Sequence, residues 1–277
     1  MDIKTLQDTP PWDWPTDAGK VFHKILVDSR ADESDRLAAA DLAGDLVAMN
    51  DDLANDLLAI VRSPGEPEEL RARAAISLGP VLEQADIDGF EDPDDLPPIT
   101  EATFRNIQDT LRKLYSDDNI PKEVRRRILE ASVRAPETWH QNAIRAAYSS
   151  GDRNWMLTAV FAMRWVRGFD DQILEALKST DPEIHGEAVE AAGAWEVDAA
   201  WSHLVALVND AGTAKPLLLA AIGAVGSIRP AQAREILSDF ADSEDEEIAE
   251  AATEAIEIAE VISDEIDEDE EEDEWIN

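Results

Sequence analysis

A short register recurs along this chain about every 30 residues: an apolar residue, then small or apolar residues four and seven places on. It appears as Leu70, Ala74, Ser77; Val124, Ile128, Ala131; Trp155, Ala159, Ala162; Ile184, Ala188, Ala191; Leu217, Ala221, Ala224; and Ile248, Ala252, Ala255. The starts lie 54, 31, 29, 33 and 31 residues apart. Positions i, i+4 and i+7 fall on one helix face, and units of this length bury that face by stacking on one another. The expectation is an all-α fold, a solenoid of about seven antiparallel helix pairs. Each unit meets only its neighbours, so a length of 277 residues sets no domain count.

Charge narrows the function classes. The net charge is −38, from 62 acidic and 24 basic residues, and cysteine is absent, which removes disulfides, thiolate catalysis and zinc or iron–sulfur sites built on thiolates. Residues 105–167 alone are net positive, with 12 bases against 7 acids. Acids are spread over the whole chain, in which Lys is scarce, 7 against 17 Arg. Adaptation to a salty cytoplasm explains this pattern, since dense carboxylates keep a protein soluble when salt screens other charges. Recruitment of a basic partner is the competing account. Duplex nucleic acid is disfavoured either way, because phosphate contacts need clustered Lys and Arg. The opening Met1-Asp2-Ile3-Lys4 is not that of a secretory signal, and no run of about 18 apolar residues exists. A cytoplasmic protein with no membrane partner is expected.

Punctuation places the parts. Residues 1–16 contain Pro10-Pro11-Trp12-Asp13-Trp14-Pro15 and read as an extended arm whose tryptophans fold over the first repeat as a cap. The solenoid covers 17–263, interrupted by an acidic, proline-containing loop at 86–99 that accounts for the interval of 54. That loop fails as a calcium site: counted from Asp86, Gly89 falls at position 4 and Phe90 at position 5, where a carboxylate and a later glycine are required. Residues 264–277 hold ten acids and read as a solvated tail.

The segment Asp181-Pro182-Glu183-Ile184-His185, continuing to Ala191-Ala192-Gly193, resembles the second helix of a HEAT repeat, in particular the short bacterial and archaeal kind also found in phycobilin lyase subunits. Leu70-Arg71, Ala74-Ala75 and Leu78-Gly79 follow the same pattern, as does Val124-Arg125. Elsewhere Met156, His185, Leu218 or Ala249 replaces the Arg. The resemblance implies a right-handed α-α superhelix of the armadillo/HEAT-like class, and a role as scaffold or adaptor. Resemblance to lyase subunits, or to HEAT-like alkylpurine DNA glycosylases through Trp155, Arg164, Trp165 and Asp170, implies the alternative of an enzyme or accessory subunit.

The strongest constellation is the basic island with interleaved tryptophans. Arg beside Trp suits an acidic peptide, a phosphate or a single nucleic-acid strand. The candidate partner-binding residues are Arg125, Arg126, Trp139, Arg164 and Trp165. Internal neutralisation by acids on neighbouring repeats is the plainer account of the same charges. His23, His140, His185 and His203 show no i, i+4 pair, so no metal, no cofactor and no catalytic residue is expected. The reading is a non-enzymatic scaffold that binds a protein or peptide on its concave surface; the sequence leaves the oligomeric state open.

Overall fold

The structure is a computed structural model that describes residues 2–276, with side chains described through residue 262. It divides into two compact units, Met1–Ala143 and Ile144–Asn277. The first holds α1 (Ile3–Gln7), α2 (Ala18–Val27), α3 (Glu33–Leu42), α4 (Asp51–Arg62), α5 (Glu68–Ile76), α6 (Gly79–Asp88), α7 (Glu101–Tyr115) and α8 (Lys122–Ser132). The unit boundary falls within α9 (Thr138–Tyr148). The second unit continues through α10 (Arg153–Ala162), α11 (Asp170–Ala176), α12 (Pro182–Ala194), α13 (Trp201–Asn209), α14 (Lys215–Ile228), α15 (Pro230–Ala241) and α16 (Glu246–Ile276). No strand occurs among the described residues.

Within the first unit, α2, α4 and α7 pack in one row and α3, α5 and α8 in a second, each helix also touching its partner across the pair. In the second unit α10, α12, α14 and α16 form a row, with α11, α13 and α15 paired to it. This is the stacking of an all-α, HEAT-like solenoid. The six registers open on α5 and α8 in the first unit and on α10, α12, α14 and α16 in the second, and the i+4 residues Ala74, Ile128, Ala159, Ala188, Ala221 and Ala252 are each wholly buried.

Close approach explains the small residues. Nine places after a register opens stand Gly79, Gly193 and Gly226, and Gly44 occupies the like position just after α3. A Cβ on Gly193 would fall 2.9 Å from Ala224, one on Gly226 2.9 Å from the Ala255 carbonyl, and one on Gly44 2.9 Å from Ser77. Those partners are the i+7 residues of the following repeat. Glycine and small residue thus interlock between neighbouring repeats.

Helix starts are set locally. Asn50, Thr100, Asp152 and Asp181 cap α4, α7, α10 and α12 by accepting hydrogen bonds from backbone N–H groups of the first turn. The N-terminal arm is not extended throughout. The proline run begins only at Pro10, so the residues before it are free to form α1, capped by Asp2. Trp14 folds back, its Nε1 donating to the carbonyls of Leu6 (3.0 Å) and Thr9 (2.8 Å), with its ring edge-on to Phe22; Trp12 stays exposed. The loop expected at 86–99 is shorter, because α6 runs to Asp88 and stops at Gly89, whose φ of 68° a side chain would resist. Phe90 and Ile99 pin it, Phe90 against Phe104 and Ile99 buried. The expected tail, 264–277, lies outside the residues whose side chains are described.

Candidate functional site

The basic island is largely neutralised within the repeats. Arg126 is 4% exposed, and its guanidinium reaches Glu123 (2.6 Å) and Glu130 (3.4 Å) one turn away on α8. Arg127 shares both acids. Arg134 reaches Glu83 on α6 at 2.5 Å. Arg126 therefore cannot anchor a partner, contrary to the expectation from sequence: residues 125 and 126 point about 100° apart on a helix, and 126 faces inward.

Arg125 and Trp139 meet through a third residue. The Arg125 guanidinium lies 5.5 Å from the Tyr115 ring centroid and pairs with Asp118 at 2.9 Å. The Trp139 ring stands 5.1 Å from Tyr115 and 3.9 Å from His140, its Nε1 donating to Glu137. His140 is fully buried. Its Nδ1 accepts from the Glu137 N–H at 2.8 Å, which leaves Nε2 to donate to Ser132 Oγ at 3.0 Å. Burial pulls its pKa down to about 4, so the ring is neutral at pH 7. This cluster is a braced corner of the first unit.

Arg164 and Trp165 lie in the second unit, just after α10. The Arg164 guanidinium sits 5.1 Å from the Trp165 ring centroid and 3.4 Å from the Glu190 carboxylate; Trp165 packs on Phe161. Arg164 closes one end of a groove of about 630 Å³ that runs across α12, α14 and α16. Ala194, Leu219, Ala220, Gly223, Ala251 and Ile258 line it, with Glu190 and Glu254 beside them. Gly223 differs from the interlocking glycines: a Cβ there would meet nothing within 4 Å. Sequence reading reached Arg164 but missed Leu219, Gly223, Glu254 and Ile258. An isolated glycine inside a helical pattern was the available signal at 223.

Two histidines that sequence spacing kept apart are neighbours here. His185 on α12 and His203 on α13 place their Nε2 atoms 2.9 Å apart, both rings partly buried. Burial lowers both pKa values, and for His185 the neighbouring ring lowers it further. No third His, Cys, Asp or Glu completes a metal-binding group among the described residues. Likewise, no helix among them is long and apolar enough to cross a membrane.

Stacked helix pairs define the class, an all-α helical-repeat protein. No protein-family profile matches the chain, and no curated protein matches it. Two of the solved structures to which the chain is similar are helical proteins. YibA of Escherichia coli is 16% identical, with 93% of this chain and 85% of that one covered at a TM-score of 0.47. Human deoxyhypusine hydroxylase in complex with glycerol is 16% identical, with 93% and 88% covered at a TM-score of 0.41. Both likenesses concern the helical fold alone. The expectation of a non-enzymatic protein is withdrawn, since one of these two chains is an enzyme. No reaction is transferred to this chain from it.

Proposed function

We propose that this HEAT-like protein binds a segment of another protein in the groove across α12, α14 and α16. Gly223 is the observation that carries this reading. A glycine in a helix interior costs about 1 kcal/mol relative to alanine, and no packing contact requires one at 223. The missing side chain keeps the groove open, where a ligand backbone or side chain can lie against α14. Leu219 and Ile258 offer apolar surface, and Glu190 and Glu254 supply negative charge in a unit that carries 32 acids against 8 bases. The occupant that fits is a short segment with an apolar side chain and a basic residue beside it. Arg164, already paired with Glu190, sets the end of the groove and holds that carboxylate in place.

Fluorescence anisotropy with matched labelled peptides, apolar throughout and carrying Lys, Ala or Glu at one position, tests this. The Lys peptide should bind best to the full chain, more weakly as salt rises, and not at all to Gly223→Leu, whose side chain fills the groove. That variant should melt no lower than wild type, because its side chain enters open space. Equal binding by wild type and Gly223→Leu, or no preference for Lys, overturns the reading.

A further inference from the structure

We propose that His185 and His203 together form a two-imidazole site for a late first-row divalent metal ion, Ni(II), Cu(II) or Zn(II). The place of His185 in the repeat is the first argument. It follows the register-opening Ile184, where the first unit has Arg71 after Leu70 and Arg125 after Val124. Each of those arginines turns back to the C-terminal part of the preceding helix: Arg71 Nε donates to the Val61 carbonyl at 3.0 Å, and Arg125 lies over Tyr115. His185 instead turns to α13.

Geometry is the second argument. The two Nε2 atoms face each other at 2.9 Å, with ring planes at 57°. The ring centroids are 5.1 Å apart, so each Nε2 points along the line to the other, as in a hydrogen bond; an ion about 2.0–2.1 Å from both nitrogens would see them at about 90°, and each ring has to turn by roughly 45° to aim its lone pair at it. A tetrahedral ion needs the nitrogens a few tenths of an ångström further apart, which rotation of half-buried rings supplies. Without metal, one ring donates its Nε2–H to the other. On binding, that proton moves to Nδ1 of its own ring and both lone pairs reach the ion, so a neutral pair releases no proton. Burial lowers the pKa of both rings, which favours the neutral form that a metal requires. With no further protein ligand among the described residues, the other coordination positions go to water or to a carboxylate or amine of a bound molecule.

Isothermal titration of the untagged full chain with NiCl2 and with ZnCl2 in molar salt is the test, and MgCl2 reports what the 62 carboxylates do by themselves. Expected is one site per chain for Ni(II) and Zn(II), absent for Mg(II) and weakened at least about tenfold in His185→Ala and in His203→Ala, each checked for helical content by circular dichroism. His23→Ala should bind as wild type, because His23 is held by Asp56 in the first unit. Imidazole NMR supplies a readout on the unaltered chain, in which the resonances of His185 and His203 move on adding Zn(II) and that of His23 does not. Undiminished binding by a folded His203→Ala chain, or a Zn(II) response at His23 alone, overturns the proposal.

Discussion

The two units repeat one register and fasten it differently. In the first, a buried arginine fastens two of the repeats. Arg36 donates to the Leu26 carbonyl at 2.9 Å and to both oxygens of Glu66, while Arg71 donates to the Val61 carbonyl; both arginines are buried and both act ten residues back, at the end of the preceding helix. The carbonyls there have no intrahelical partner, so a cation satisfies them and the helix dipole together. In the second unit the corresponding residues are Met156, His185, Leu218 and Ala249, and the fastening moves to the surface between repeats. Arg153 reaches Asp181 and Glu183, and Lys215 reaches Asp245 and Glu247. Each time, a cation two places before a register meets the cap and first turn of the next. Buried fastening tolerates salt; surface fastening weakens with it. The unit with the weaker device also has the larger net charge, −24 against −14, and it holds the groove and the histidine pair.

The largest effect is expected where the buried device is cut. Arg36→Met leaves the Glu66 carboxylate and the Leu26 carbonyl without their donor and should cost about 3–4 kcal/mol in urea denaturation. If it costs no more than Lys215→Met, the contrast between the units fails. Acid should come next. His140 has its folded pKa at about 4 against the ordinary 6.5, so its contribution is fully present above pH 6.5 and is lost as pH falls toward 4. Urea melts between pH 7 and pH 4.5 should show a steeper loss in wild type than in His140→Gln, with a difference of at most about 3 kcal/mol.

Glycine substitutions test what the units share. Gly226→Val drives a side chain into the Ala255 backbone and should destabilise by about 2 kcal/mol, with Gly44→Val behaving alike in the other unit. Gly223→Ala should stabilise by about 1 kcal/mol, the opposite sign on the same helix. Lys215→Met should have the smallest effect, visible in low salt and gone in molar salt, because both its acid partners stand at the surface. A wild-type melt from low to molar salt sets the scale for all of these: a steep rise in melting temperature marks the acidity as salt adaptation, and a flat response leaves the recruitment of a basic partner as its reason.

Some of this was legible before any coordinates. The i, i+4, i+7 register placed six helices, because that signal is carried within two turns of chain. Candidate-site residues were read less well. Arg125 and Arg126 are equivalent in sequence, and only the direction of α8 buries one of them. Trp139 and Trp165 brace their own repeats, which the aromatic content could not distinguish from ligand contact. The proline run drew the whole arm into an extended reading and hid the five-residue α1 before it.

By itself, then, the sequence determined that this chain is a stack of helices, since periodicity and capping are local and a repeat needs only its neighbour. Tertiary structure decided which charges are spent inside the fold, which glycine faces open space, and that His185 meets His203 across 18 residues of chain. Those outcomes depend on distances between helices that are far apart in sequence. A side chain's neighbours there are set by how whole elements pack, a quantity that no short stretch of residues encodes.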